Sequence, residues 1–228
     1  DDFSYRTATP FIEVPAGTPV EVAVAPPNST SAQDALLDTV LFLTPDVSYI
    51  GVAHGVFGSA ESPAELSVFN MGRQEASAEG NVDLLFFHGT PDAPGVDVTS
   101  GGNTVFDNIF YGTFSDDYVS IPAGPITVSV TPFNDNNTVV GSYQTNFNFW
   151  QGNTAVIFAS GFLNGTPEFE PWVALSNGGT FPLDAVDDGG GNGEGNGIPD
   201  FNLISVFPNP TDTQTTIRLN VEEEAAVT

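Results

Sequence analysis

Cysteine, lysine and positive charge are what this chain lacks. Its 228 residues contain no cysteine, and all three basic residues are arginines, against 29 aspartates and glutamates. The absence of cysteine excludes disulfides, thiolate zinc sites and cysteine nucleophiles. With a formal net charge of −26, the chain offers no basic surface to neutralise phosphates, so we expect neither nucleic acid nor an anionic membrane as a partner.

Long apolar runs and helical periodicity are also scarce. No stretch approaches the roughly 20 apolar residues of a membrane helix, and helical patterning is confined to Ser31–Asp38 (SAQDALLD). The 19 phenylalanines make the chain too apolar for a disordered acidic protein. Short alternating stretches lie between glycine and proline turns, which predicts an all-β protein: two antiparallel β-sandwich domains of Greek-key or immunoglobulin-like type and a short C-terminal β segment.

An internal repeat organises the chain. Pro10–Thr18 (PFIEVPAGT) returns 107 residues later as Asp117–Pro125 (DYVSIPAGP). Three further blocks follow in the same order: Val20–Val24 with Thr127–Thr131, Tyr49–Gly58 with Ala155–Asn164, and Ala64–Asn70 with Pro171–Asn177. Because all four blocks recur in the same order, we predict that the chain contains two copies of one unit. In each Pro-Ala-Gly turn we expect the glycine, Gly17 or Gly124, to adopt a positive φ.

The predicted boundaries give four parts. Residues 1–78 form the first repeat, 79–184 the second, 185–200 a Gly/Asp-rich linker and 201–228 the start of a further β segment. The opening block of the second repeat, Asn81–Asp107, has no counterpart in the first. The first repeat therefore lacks its opening strands, which predicts an exposed sheet edge that another strand could fill.

Two segments resemble known families. Leu85–Val98 (LFFHGTPDAPGVDV) resembles the hallmark of a secreted β-sandwich repeat, the domain of unknown function 4397, in which a Pro-Ala-Gly block is also typical. Ile204–Leu219, beginning near VFPNPTD, is similar to the C-terminal sorting domain of type IX secretion substrates. The resemblances imply an extracellular or outer-surface protein of a Bacteroidota-like bacterium, with the type IX machinery as a partner.

The family motif contains residues that could carry chemistry. His88 has Thr90, Asp92 and Asp97 nearby, a set that could form a metal site or an acid/base pair. We favour a structural role for the motif, because Pro91 and Pro94 flank Asp92, an arrangement that predicts a cap for neighbouring amides. His88 is then expected to anchor a strand end by hydrogen bonds.

A calcium loop is a second candidate. The segment NGEGNGIPD has the ligand spacing of such loops and resembles those of thrombospondin type 3 and dockerin repeats; its ligands would be Asn192, Glu194, Asn196 and Asp200. Two carboxylates would bind Ca²⁺ weakly, and a plain flexible linker is the favoured interpretation.

The aromatic residues and the functional alternatives remain. The alternation Asn146-Phe147-Asn148-Phe149 indicates one buried face, and Trp172, near a sheet edge, is the candidate glycan contact. No nucleophile elbow, zinc-protease helix or phosphate loop is present in the sequence. We therefore expect a non-enzymatic structural or adhesive surface protein, whose subunits could polymerise by strand complementation. The alternatives are a module that binds surface polysaccharide and a secreted hydrolase with paired carboxylates.

Overall fold

A computed structural model describes residues 4–25, 29, 31–135 and 137–186, and these residues are almost entirely β. The predicted all-β class is confirmed, with a smaller sandwich-like N-terminal half over residues 4–80 and a complete sandwich over residues 81–186. The chain divides into two compact units, Asp1–Gly190 and Gly191–Thr228. The second unit, with the predicted β segment of residues 201–228, lies outside the described residues.

The N-terminal half consists of two hairpins. Its strands are β1 (Pro19–Val24), β2 (Leu37–Phe42), β3 (Ile50–His54) and β4 (Glu65–Phe69). β1 pairs with β2 and β3 pairs with β4, both antiparallel. In β1 every second side chain is half-buried, and Val20 and Val24 lie opposite Leu41 and Leu37. Each hairpin thus presents one apolar face, as the alternating sequence dictates.

The sandwich contains two five-stranded sheets. Its strands are β5 (Asn81–His88), β6 (Val96–Ser100), β7 (Asn103–Ile109), β8 (Val119–Pro122), β9 (Pro125–Pro132), β10 (Gly141–Asn146), β11 (Thr154–Ser160), β12 (Glu170–Leu175), β13 (Thr180–Pro182) and β14 (Asp184–Ala185). The strand orders are β14-β10-β9-β6-β7 and β13-β12-β11-β5-β8. All pairs are antiparallel except β5 with β11, which run parallel because the chain crosses through the other sheet between them.

β5 is buried on both faces. Leu84 and Phe86 point into the sandwich core beside Phe147 and Ile157. Leu85, on the opposite face, joins Phe69 of β4 in a second cluster that Ile50 of β3 also contacts. The β3–β4 hairpin therefore packs on the outer face of the sheet that contains β5 and β11. Burial of both faces explains the unbroken apolar run Leu84–Phe87.

Several local predictions were wrong. Ser31–Asp38 contains a three-residue 3-10 helix, Ala32–Asp34, and then enters β2, because strand pairing of Leu37 with Val24 prevails over a weak helical pattern. Gly17 has the expected positive φ of 74°, but Gly124 is not among the positive-φ glycines. The Gly124 carbonyl instead accepts a hydrogen bond from the amide of Phe147 at 2.8 Å, which joins the turn between β8 and β9 to the residue that follows β10.

The end of β10 also differs from expectation. β10 stops at Asn146, and a 3-10 turn, Asn148–Trp150, leaves Phe149 83% exposed, so the alternation buries Phe147 alone. β14 pairs with β10, and the amide of Val186 donates to the Ser142 carbonyl. Within the described residues, no helix has the length and apolar character needed to cross a membrane.

Candidate functional site

A long groove runs between the N-terminal half and the sandwich. Its volume is about 1670 Å³, and it is bordered by the segment 4–14, by β3 and by the outer face of β11. Apolar side chains from three elements line it: Val24 and Leu37 from the first hairpin, Ile50 and Val52 from β3, and Val156 and Phe158 from β11. A largely apolar groove of this volume suits an extended peptide better than a compact polar ligand.

Strand edges are open beside the groove. In the sandwich, β11 has a neighbour on each edge, β5 and β12, and β9 lies between β6 and β10. Among the described residues, β3 pairs with β4 alone and β1 with β2 alone. Each of these four strands therefore has one edge with no strand neighbour among the described residues, where backbone N–H and C=O groups are unpaired by a strand.

Local geometry of the N-terminal half recurs in the sandwich. The hydroxyl of Thr7 donates to the Ser4 carbonyl at 2.6 Å, and that of Thr113 donates to Phe110 at 2.7 Å. Gly55 and Gly161 both have a φ of +88°, and a side chain at either would overlap a facing carbonyl, of Pro63 or Glu168. Spacings of 106 residues separate Thr7 from Thr113 and Gly55 from Gly161.

The loops after these glycines correct one sequence match. Val56 bridges to Pro63 and Phe162 bridges to Glu168. If these bridges correspond, β4 matches β12 at a spacing of 105 residues, and not at the 107 expected from the sequence match of Ala64–Asn70. At this spacing Val68 matches Val173. Val68 is 36% exposed whereas Val173 is fully buried. Among the described residues, β3 has no strand at the position that β5 occupies beside β11.

Each half contacts the other through a tyrosine hydroxyl. The Tyr5 hydroxyl shares a hydrogen bond of 2.7 Å with Ser160 Oγ. The Tyr111 hydroxyl lies 3.3 Å from Nδ1 of His54. Tyr5 and Tyr111 are 106 residues apart, as are His54 and Ser160, so each half places its tyrosine on the equivalent strand end of the other.

His54 and Ser67 form a pair that superficially suits nucleophilic catalysis. Ser67 Oγ lies 3.0 Å from His54 Nε2 and 2.6 Å from the Gly112 carbonyl. A carbonyl can only accept, so Ser67 donates its single proton to Gly112, and His54 Nε2 must itself be protonated to complete the contact. Burial lowers the pKa of His54, more than the Glu65 charge raises it. His54 is thus neutral at pH 7 but faces the serine with its donor, the wrong tautomer for a general base.

His88 is fully buried at the end of β5. Its Nε2 donates to the Pro94 carbonyl at 2.9 Å, and its Nδ1 accepts the Thr90 amide at 3.3 Å. Burial lowers the pKa of His88, so the neutral ring uses both nitrogens to hold the loop that follows β5. The Thr90 hydroxyl is buried and has no hydrogen-bond partner among the described residues.

The motif aspartates bind backbone amides. Asp92 accepts the amides of Leu163 and Asn164, both at 2.8 Å. These amides lie in the β11–β12 loop and not beside Asp92 as expected. Asp97 is buried and accepts the Asn108 amide at 2.6 Å, which steadies the positive φ of Asn108. In the part of the chain that the structure describes, no group of three or more His, Asp or Glu side chains is arranged to hold a metal ion.

Trp172 is covered on one face by a residue that sequence analysis overlooked. The Arg6 guanidinium lies 5.4 Å from the Trp172 ring centre and 2.6 Å from a Glu170 oxygen, which also accepts Trp172 Nε1 at 2.7 Å. The predicted glycan contact therefore lacks a free ring face on the Arg6 side. The signal that could have found Arg6 is its rarity, as one of three basic residues in an acidic chain.

The predicted calcium ligands Asn192, Glu194, Asn196 and Asp200 lie outside the described residues.

Comparison with known families gives one match. The family model for a domain of unknown function, DUF4397, matches residues 1–99 and residues 82–177. The second match begins within β5 and ends just beyond β12, and the first covers the whole N-terminal half. No curated protein matches the chain.

Proposed function

The chain belongs to the family of the domain of unknown function DUF4397, and on this premise we propose that it is a non-enzymatic structural or adhesive protein of the cell exterior. It consists of two copies of the family's sandwich, and the first copy accepts a strand from another molecule. The resulting assembly is an extracellular polymer or filament.

The recurring geometry supports two copies. β1 to β4 have the same order and pairing as β9 to β12, and the Thr7 and Thr113 turns match in their hydrogen bonds. The positive-φ glycines Gly55 and Gly161 match as well. The recurrence of a strand order, a hydroxyl turn and a positive-φ glycine at spacings of 105–107 residues argues for duplication.

The open edge of β3 is the observation that carries the assembly proposal. Phe69 alone, among the hydrophobic residues described in the N-terminal half, is buried, with 7% of its surface exposed. Several apolar residues there are strongly exposed: Ile12, Leu36, Val40, Phe42 and Phe57. Ile12 and Phe57 line the groove that β3 borders, and exposed apolar surface there supports an interaction site for a further strand.

Export is supported by the sequence resemblances. The segment VFPNPTD is similar to the start of type IX sorting domains, which suggests the type IX machinery as a partner and the outer surface of a Bacteroidota-like cell as the location. A charge of −26 is better tolerated in a saline or calcium-rich exterior. Ca²⁺ bound at Asn192, Glu194, Asn196 and Asp200 belongs to the same proposal.

Two observations support a role without catalysis. The serine of the His54–Ser67 pair donates its proton to a carbonyl. His88 has both ring nitrogens engaged by backbone groups of its own loop. A general base needs a free acceptor nitrogen within reach of a substrate, and neither histidine provides one.

The proposal is tested by following self-association of the purified full chain. We expect light scattering to rise with protein concentration and electron micrographs to contain polymers. Val68→Asp should abolish both, because the carboxylate would lie on the apolar face of the open position. The control is Val140→Asp in the sandwich, at a residue that is 59% exposed. A chain that stays monomeric and folded at high concentration would refute the proposal.

A further inference from the structure

We propose that His54, Tyr111 and Gly112 form a pH-sensitive latch between the two halves, which is closed while the His54 ring is neutral and loosens when the ring gains a second proton. His54 ends β3, and its ring packs against the loop that follows β7 in the sandwich. At the other end of the contact, Arg6 and Ser160 occupy the matching positions, and neither side chain changes its charge near neutral pH. The latch acts within one chain and does not depend on the proposed assembly.

The contact between the halves is reciprocal beyond the two tyrosines. Arg6 matches Gly112 at a spacing of 106 residues, and Ser67 matches Trp172 at the spacing of 105 inferred for β4 and β12. The Arg6 guanidinium lies 5.4 Å from the centre of the Trp172 ring, and the Gly112 carbonyl accepts the Ser67 hydroxyl at 2.6 Å. Each half thus presents the same loop to the same strand end of the other half, as the subunits of a two-fold symmetric dimer do.

The two ends of this contact are filled by different residue pairs. At one end the loop residue is large and the strand residue is small: Arg6 Nε donates to Ser160 Oγ at 3.3 Å. At the other end the strand residue is large and the loop residue is Gly112, where an added Cβ would lie 3.0 Å from His54 Cε1. Arginine stays charged at all pH values near neutrality, whereas histidine changes its charge there. Acid therefore acts on one end of the contact only.

The neutral ring fits its hydrogen-bond partners, and the charged ring does not. Because Ser67 donates its proton to Gly112, His54 Nε2 is protonated and donates to Ser67 Oγ at 3.0 Å. Nδ1 is then the acceptor for the Tyr111 hydroxyl, 3.3 Å away. A second proton would bind at Nδ1 and face the proton of that hydroxyl. The contact then persists only if Tyr111 turns its own proton away.

The groups that surround the ring do not compensate for a second proton. Phe87 of β5 lies 5.4 Å from the centre of the His54 ring and offers no hydrogen-bond acceptor. Glu65, opposite His54 in β4, raises the pKa of His54, but burial lowers this pKa by more. Burial raises the pKa of Tyr111 and lowers that of His88, which lies beyond Tyr111, so both side chains are uncharged at neutral pH.

The direction of the pH effect follows from this burial. A released His54 binds a proton more readily than the docked ring, because docking lowers its pKa below the ordinary 6.5. The latch is therefore closed above about pH 6.5 and weakens as the pH falls below that value. When the latch opens, the His54 ring leaves Phe87, which is 1% exposed in the closed state. Acid thus uncovers the apolar outer face of β5 at this end.

Proton NMR of the full chain tests the protonation step, because the sequence contains only two histidines. We expect the imidazole signal of His54, identified by its loss in His54→Ser, to titrate at a lower pH than an exposed histidine. In Tyr111→Phe the signal should titrate at a higher pH than in the wild type, because the neutral Nδ1 loses its hydrogen-bond donor.

Hydrogen exchange at pH 7.5 and pH 5.5 tests the opening step. After correction for the intrinsic rates, we expect exchange in β3 and β4 to be faster at pH 5.5 by about threefold or more. Exchange in β12, at the Arg6 end, should not change. The matched control is His54→Ser, which introduces the residue type found at Ser160 and retains His88. This variant should lose the pH dependence of β3 and β4.

Four results would overturn the latch. The first is a His54 signal that titrates at or above the pH of an exposed histidine. The second is equal acceleration of exchange in β12, which would mean that acid loosens the whole fold. The third is a pH dependence that persists in His54→Ser, which would assign the effect to another group. The fourth is an unchanged His54 titration in Tyr111→Phe, a result that decides the question even if His54→Ser fails to fold.

Discussion

Asp83 joins the N-terminal half to the sandwich through one buried carboxylate. It is fully buried in β5 and accepts Arg73 Nη1 at 3.1 Å and the Ser77 amide at 2.9 Å. Burial alone would raise the pKa of Asp83, but hydrogen bonds from Ser120, Ser77 and Arg73 outweigh burial, and the pKa lies below its ordinary value. The ionised carboxylate is therefore stabilised in the folded state.

We predict that Asp83→Asn lowers the free energy of unfolding at pH 7 by about 2 kcal/mol, because a buried, charge-assisted contact is lost. Urea unfolding measures the change. The matched control is Asp117→Asn, which removes the other partner of Arg73 at a side chain that is 59% exposed and should cost less than about 1 kcal/mol. Equal losses in the two variants would contradict the assignment.

The same substitution has a defined pH dependence. Because the folded pKa of Asp83 is depressed, its contribution is complete above the pKa of the unfolded carboxyl and is lost as the pH falls through the folded value. The difference between the wild type and Asp83→Asn should therefore shrink below about pH 4.

For single residues, the sequence indicated which kind of contact a side chain makes but not which residue it contacts. The prolines around Asp92 indicated an amide-capping aspartate, yet the capped amides belong to Leu163 and Asn164, 71 and 72 residues away. No pattern in the sequence predicted that Arg73 and Asp83 form an ion pair. Such contacts depend on which strands meet, and residue spacing does not contain that information.

The β11–β12 loop depends on the backbone conformation of one residue. Gly161 has a φ of +88°, and a Cβ there would overlap the Glu168 carbonyl. Gly152 has a similar φ of +79°, but a Cβ there would meet no atom within 4 Å. The two glycines therefore separate steric overlap from backbone strain.

We predict that Gly161→Ala lowers the free energy of unfolding by about 3 kcal/mol or more, because overlap adds to strain. Gly152→Ala, which adds strain alone, should cost about 1 kcal/mol. Thermal unfolding followed by circular dichroism compares the two variants. Similar costs would mean that the loop relaxes away from the new methyl group.

Strands were predictable where alternation is simple and one face is covered. β1 and β9 follow the alternating apolar residues of the sequence blocks. β5 was harder, because a run buried on both faces has no two-residue period, and its parallel pairing with β11 leaves no local trace. The exposed Phe149 shows that alternation can also mislead, because a 3-10 turn ends a strand whose alternating pattern continues in the sequence.

The charge of the whole molecule opposes the assembly proposed for it. Each copy carries a formal charge of −26, so copies repel until salt screens them. The screening length falls from about 10 Å at 0.1 M salt to about 3 Å at 1 M.

We predict that raising NaCl from 0.1 M to 1 M lowers, by at least threefold, the protein concentration at which light scattering reports self-association. Val68→Asp serves as the control and should remain monomeric at both salt concentrations, because screening does not remove the cost of burying its carboxylate. A threshold independent of salt would mean that charge does not limit assembly.

The scarcity of basic residues has a consequence for resistance to proteolysis. Proteases that cleave after arginine or lysine find three target residues in 228. Arg6 is held by Glu170 and the Glu168 carbonyl, and Arg73 by Asp83 and Asp117. Cleavage requires the target side chain to leave its contacts and a stretch of chain to enter the enzyme. Within residues 4–186 this class of protease therefore meets no freely offered cleavage site.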